Sequence, residues 1–471
     1  MAWFVRLGWS RLLWVLLGSL VLLHAGFYNG FPLVTSDTGT YLNSALTMTV
    51  PDDRPITYGL FAWVSGLHFS LWFVIFFQCL LLSGLLLRFI REFAPRHPHP
   101  AAHLALLVLG VWATGVSWFS CQLMPDIFTP IGLLALVLVL LGRARTPWER
   151  AGWLALLLLA GMMHTSNLMT FSLLTVGVGL VGWRGGWFAR GLLRPRDWRL
   201  VTAVALAGWL ALPLLHATLG GGFTISRASP AFLMARLSES GVLERFLDRE
   251  CADGNYAICA YRDKLPNDAI TFMWDGNSPL NQAGGWNATH DEYQRIIRRI
   301  LSSPRYYPYL ASEAVQATFR QLTHVGLGDG LTPFRENTNP YWKVGQYRAY
   351  ELKEYLSSQQ NRGALVFTGL NERVYLTYVL ALLAALAGLS SAAVRRAAGA
   401  PTAVLGTILL LGVMANALVT GALANVLDRL QARVAWLLPF AVLVVAAEVL
   451  PAWWASRGKL PPPAADEQQA G

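Results

Sequence analysis

Ten apolar runs organise this chain, near residues 9–29, 69–90, 101–119, 126–142, 151–164, 167–183, 200–217, 374–391, 402–423 and 433–452. About 20 apolar residues in a helix cross roughly 30 Å of hydrocarbon, where every backbone polar group must be satisfied from within the segment. The runs predict an all-α polytopic membrane protein with about ten transmembrane helices. Charged residues make up only 14 % of the chain, well under the roughly 25 % of soluble domains. Mean hydropathy is +0.42, so neither a soluble multidomain protein nor a disordered one fits. The 19 Trp, 15 Tyr and 22 Phe suit the two membrane interfaces, where aromatic rings gather.

Where the charge lies sets the orientation. The net charge of +10 suggests a nucleic-acid partner only until it is located. The one long polar segment, 218–372, holds as many acidic as basic residues. The excess sits in short loops: Arg6 and Arg11, Arg88 to Arg96, Arg143 to Arg150, Arg184 to Arg199, Arg395 and Arg396, then Arg457 and Lys459. Alternate short loops carry only Arg54, Arg429 and Arg433. By the positive-inside rule both termini are cytoplasmic and 218–372 faces outward, into the periplasm if the membrane is a bacterial inner membrane. The run 9–29 reads as a signal anchor, because its apolar stretch continues through Phe27 and Tyr28. This phase is kept if His164-Thr165-Ser166-Asn167 forms a tight hairpin rather than a kink in one long helix. The expected organisation is seven spans over 1–217, an outward domain over 218–372, three spans over 373–456 and a disordered cytoplasmic tail over 457–471.

The outward segment mixes helical and irregular character. Amphipathic spacing predicts helices over 291–301 and 309–322, separated by Gly- and Pro-rich punctuation. Cys251 and Cys259, in an oxidising compartment by this topology, are expected to pair as a disulfide. Cys79 lies inside a span and reads as a small buried hydrophobe. No Cys/His spacing resembles a zinc site, no cofactor is implied, and Asp52-Asp53 is too sparse a carboxylate set to argue for Mg²⁺ or Mn²⁺.

Chemistry is sought where charged residues meet the outward membrane edge. No carboxylate falls near the centre of a span, which argues against a proton-coupled transporter. The first outward loop carries Asp37, with Tyr41 four residues on and so on the same face of a helix starting there. Asp53-Arg54-Pro55 and Tyr58 follow. The residues alone leave two readings of Asp37: an N-cap bonded to the amide of Gly39 or Thr40, or a carboxylate aimed at a ligand. Asp126 follows Pro125 at the start of a span, where the helix dipole favours a negative charge. His164 sits in the polar tetrad, as a hydrogen-bonded turn residue or a phosphate ligand. Arg429 and Arg433 share one helical face, and their planar forks suit either lipid headgroups or a bound phosphate.

An apolar anchor, an Asp-x-x-x-Tyr loop at Asp37 and Tyr41, and Arg54-Pro55 leading into a span that contains Gln78 together resemble the GT-C superfamily of membrane glycosyltransferases. The likeness covers about residues 1–217 and extends more weakly to Leu427-Asp428-Arg429 and to the Arg433–Pro439 stretch. Many members carry Asp-Glu where Asp37-Thr38 stands here, so the pattern points to a superfamily and not to a substrate. The resemblance implies sugar transfer from a polyprenyl-phosphate donor to a glycan, lipid or protein acceptor at the outer face, with Asp37 as catalytic base. It implies donor phosphate on Arg433, Arg429, Arg54 and His164, with Asp126, Tyr41 and Tyr58 assisting the acceptor. The alternatives are a glycan polymerase or ligase using polyprenyl-diphosphate donors and, in another class, a lipid-linked-sugar flippase.

Overall fold

The computed structural model describes residues 9–143, 146–253, 256–391 and 399–457. All regular structure among them is helical, apart from one parallel bridge between Leu33 and Gln122. Arg6, Arg145, Arg395, Arg396, Lys459 and the tail from 458 lie outside the described residues.

The first part of the chain forms α1 (Trp9–Leu22), the short α2 (Thr38–Thr47), α3 (Leu71–Phe93), α4 (Pro100–Ala113), α5 (Phe128–Leu141), α6 (Pro147–Met163), α7 (Thr165–Arg184) and α8 (Pro195–Thr218). Local chemistry marks their starts. Ser70 caps α3 through the Trp72 amide, and Thr146 with Glu149 forms a capping box before α6. Proline opens α4, α6 and α8, where its missing N–H costs nothing. Helix α5 is apolar all round and buried along its length up to Leu140, as expected of a helix enclosed by others. Between α6 and α7 the chain turns sharply at His164, so that Ala160 and Phe171 both pack on Gly132 of α5.

The polar segment contributes α9 (Gly285–Leu301), α10 (Tyr307–Thr323) and α11 (Asn339–Tyr347); α12 (Thr368–Ser390), α13 (Ala400–Leu423), α14 (Asp428–Ala435) and α15 (Leu437–Arg457) complete the chain. Among the described residues, six helices are long and apolar enough to cross a membrane: α3, α7, α8, α12, α13 and the Asp428–Pro451 stretch. The other four apolar runs form helices of 14, 14, 14 and 17 residues, namely α1, α4, α5 and α6.

Residues 218–372 do not pack as one body. A satellite core forms between Ala231 and Tyr306, built from Phe246, Phe272, Tyr293 and Ile296 among others. Cys251 and Cys259 are joined by a disulfide at its edge, with Cα atoms 5.6 Å apart. From Val325 onward the segment joins the helical bundle instead, and Leu327, Leu331, Val344 and Tyr355 belong to the main core. Between the two, α10 lies along α13, and a Cβ at Gly421 would come within 2.7 Å of the Ala317 carbonyl.

The connections between helices segregate to two ends of the bundle. At one end Arg96 pairs with Glu448, Arg150 pairs with Asp197, and Glu92 accepts the Arg143 amide. At the other end the loops bearing Asp37, Arg54, Asp126, His164 and Arg429 converge.

Candidate functional site

The site is built on irregular backbone held at fixed points by side-chain amides. Leu33 bonds to the 121–123 segment on both sides, its N–H to the Cys121 carbonyl and its carbonyl to the Leu123 N–H, each at 2.9 Å. Val34 is held by Gln360, which accepts its N–H at 3.1 Å and donates to its carbonyl at 2.7 Å. Two more amides grip one residue each in this way. Gln321 pairs with both backbone groups of Leu427, and Asn371 with both groups of Leu327. A buried segment that pairs with no strand thereby satisfies its polar groups, and the three gripped residues lead into Asp37, Arg429 and Asp329.

Asp37 stands at the N-cap position of α2, yet its side chain makes no capping bond. Just before it, the Thr35 N–H donates to the Thr38 hydroxyl at 2.9 Å. The Asp37 carboxylate turns to two guanidiniums, Oδ1 lying 3.1 Å from Arg54 and Oδ2 3.5 Å from Arg429. Of the two readings open in the sequence, the cap is therefore not the one realised. Burial alone would push the Asp37 carboxyl up, but the charges of Arg54 and Arg429 outweigh it and hold the pKa below the ordinary 3.8.

Each arginine has a further carboxylate. Arg54 donates through Nε to Asp53 at 2.9 Å and lies over the Tyr41 ring, 5.2 Å from its centroid. Tyr41 packs edge-on against Tyr58 with centroids 4.9 Å apart. The Tyr58 hydroxyl donates to Gln78 at 2.6 Å, and Gln78 donates in turn to the carbonyls of Ser120 and Gln122. Both tyrosines are fully buried. They form the floor of the site, beneath Arg54.

Arg429 and Arg433, one turn apart on α14, both face Asp126, whose carboxylate the 3₁₀ turn Pro125–Ile127 places at the head of the enclosed α5. Arg429 lies 3.8 Å from Asp126 through Nε, and its backbone N–H donates to Asp329 at 3.0 Å. Arg433 donates at 3.0 Å to Asp126, to the Ser166 hydroxyl and to the Asn416 carbonyl oxygen. The Nδ1 of His164 accepts the Ser166 N–H at 3.2 Å and lies 2.8 Å from the Ser166 hydroxyl. His164 thus reaches Arg433 through one serine, with its ring proton on Nε2.

The result is a file of alternating charges: Asp53, Arg54, Asp37, Arg429, Asp126, Arg433. Exposure grades along it. Asp37 is 22 %, Arg429 18 % and Arg54 12 % exposed, whereas Arg433 is fully enclosed. Arg433, which the GT-C resemblance makes a phosphate ligand, is enclosed because α5, Asn416 and Ser166 surround it. Arg54 and Arg429 are the guanidiniums with open surface.

Every site residue named from the sequence in the membrane-edge loops belongs to this cluster. Sequence reasoning passed over Asp329, Asn416 and Gln360. A signal existed for the first two. Asn416 is an amide inside an apolar run, and Asp329 sits between Gly328 and Gly330, both with positive φ. Among the described residues, no three His, Cys, Asp or Glu side chains converge to hold a metal ion. No known protein family, curated protein or solved structure matches this chain.

Proposed function

We propose that the protein is a membrane glycosyltransferase of GT-C type. It moves a sugar from a polyprenyl-phosphate donor to a glycan, lipid or protein acceptor at the outer, periplasmic face of a bacterial inner membrane. On this reading the ten apolar helices are spans, both termini are cytoplasmic, and the file of charges lies at the outward membrane boundary. The observation that carries the proposal is the Asp37 carboxylate, not engaged in capping α2, partly exposed and flanked by Arg54 and Arg429.

The chemistry follows from that placement. An acceptor hydroxyl attacks the anomeric carbon as the bond to the phosphate oxygen breaks. Asp37 takes the hydroxyl proton, and the arginines stabilise the charge that collects on the leaving polyprenyl phosphate. Inversion at the anomeric carbon is expected from the likeness to the superfamily. A carboxylate held by two guanidiniums is a weak base, so it gains basicity once the phosphate engages those arginines. Arg433, enclosed with Asp126, acts here as a brace for α14 rather than as a ligand.

Protein reconstituted in lipid nanodiscs with a panel of polyprenyl-phosphate sugars tests the assignment. Asp37→Asn should lower transfer by about 10²–10⁴-fold, the range for loss of a general base, while expression and donor binding persist. Full activity in that variant removes the proposal. Transfer from diphosphate-linked donors alone would make the protein a polymerase or ligase, and export of a lipid-linked sugar without bond formation would make it a flippase.

A further inference from the structure

The same cluster presents a difficulty for any anionic ligand. Three carboxylates (Asp37, Asp53, Asp126) pair with three guanidiniums (Arg54, Arg429, Arg433), and a fourth, Asp329, accepts the Arg429 backbone N–H beside them. A phosphate cannot simply add to such a set, because it would sit beside an excess of like charge. One carboxylate differs from the others. Asp37 is shared between two guanidiniums, one oxygen to each, and is the most exposed of those in the file. Its side chain makes no capping bond at the start of α2, so the helix does not depend on it. If it left, Arg54 would keep Asp53 and Arg429 would keep Asp126, so no buried charge would be stranded.

We propose that in the free protein Asp37 occupies, from within the chain, the anion site made by Arg54 and Arg429, and that a phosphate anion binds there by displacing it. Two phosphate oxygens take the places of Oδ1 and Oδ2, and the carboxylate swings toward solvent, where the acceptor arrives. Binding and release of the base are then one event. The identity of the anion as a lipid-linked donor phosphate rests on the glycosyl-transfer reading; the exchange itself does not.

The test is calorimetric titration of the detergent-solubilised full chain with two probes, a short prenyl monophosphate and inorganic phosphate. Asp37→Asn and Asp37→Ala should each bind the prenyl phosphate about tenfold more tightly than the parent protein, the scale of removing one partly screened like charge. Asp53→Asn removes the same charge without vacating the shared position and should gain far less. Adding Arg429→Gln to Asp37→Asn should abolish the gain. Unchanged or weaker binding in both Asp37 variants overturns the proposal, as does an equal gain in Asp53→Asn. A gain confined to inorganic phosphate overturns the lipid-linked source. Tighter binding with no transfer from any donor would keep the exchange and remove the transferase reading. Lost transfer with no gain in affinity would do the reverse.

Discussion

Arg433 and Arg429 show how burial assigns different work to residues of one type. Both arginines of α14 end a polar stretch and look alike in sequence, yet Arg433 donates hydrogen bonds to buried Asp126 and Asn416 and to Ser166 while Arg429 keeps an open edge. Breaking a buried pair by removing one partner strands the other charge, at a cost of about 3–5 kcal/mol. Arg433→Gln should therefore lower the thermal unfolding midpoint in detergent steeply, and Arg54→Gln, with its partly exposed partners, should lower it far less. Equal shifts in the two variants would contradict the division. Except for Asp329 in the polar segment, the charged members of the cluster were legible in the sequence because carboxylates and arginines beside apolar runs are few. Their partners were not, since enclosure of Arg433 depends on Asn416 and Ser166, which only packing brings near.

At the scale of elements, the site depends on side-chain amides that do the job of a neighbouring strand. Gln360 alone joins Val34 and Thr332, and its own N–H donates to Asn29. Nearby, α11 closes over α2 where Gly39 leaves no room for a side chain, a Cβ there coming within 2.7 Å of Asn339. Replacing Gln360 with Leu leaves the polar groups of Val34 without partners, each costing about 1–3 kcal/mol. Hydrogen exchange should then quicken across residues 33–37, and any activity that depends on Asp37 should fall; unchanged exchange would show that the loop is held by other means. The apolar helices and the two amphipathic helices α9 and α10 were readable from periodicity, because one face or all faces repeat with the helical turn. The amide grips were not. Gln360 and Val34 are 326 positions apart, and nothing in the local pattern of either links them.

At the scale of the whole molecule, the polar segment divides between a satellite core and the bundle. Composition could not reveal that division, since 218–372 is polar throughout and its second half joins the main core through only a few apolar residues. The disulfide belongs to the satellite. Replacing both Cys251 and Cys259 with Ser should destabilise that part by about 2–4 kcal/mol, seen as earlier proteolysis between residues 229 and 306. Phosphate binding at Arg54 and Arg429 should be unchanged, and its loss would show that the two cores are coupled. The file of charges carries another consequence, for biosynthesis. Asp37 meets a partner 392 positions later, and Asp126 one 307 positions later. A ribosome that has released the first seven apolar segments has delivered Asp126 to the membrane with its counter-ion still untranslated. The nascent protein must keep that carboxylate out of hydrocarbon until α14 emerges. The charge file is therefore completed late in synthesis, and a chain halted before residue 429 lacks both arginines that face Asp126.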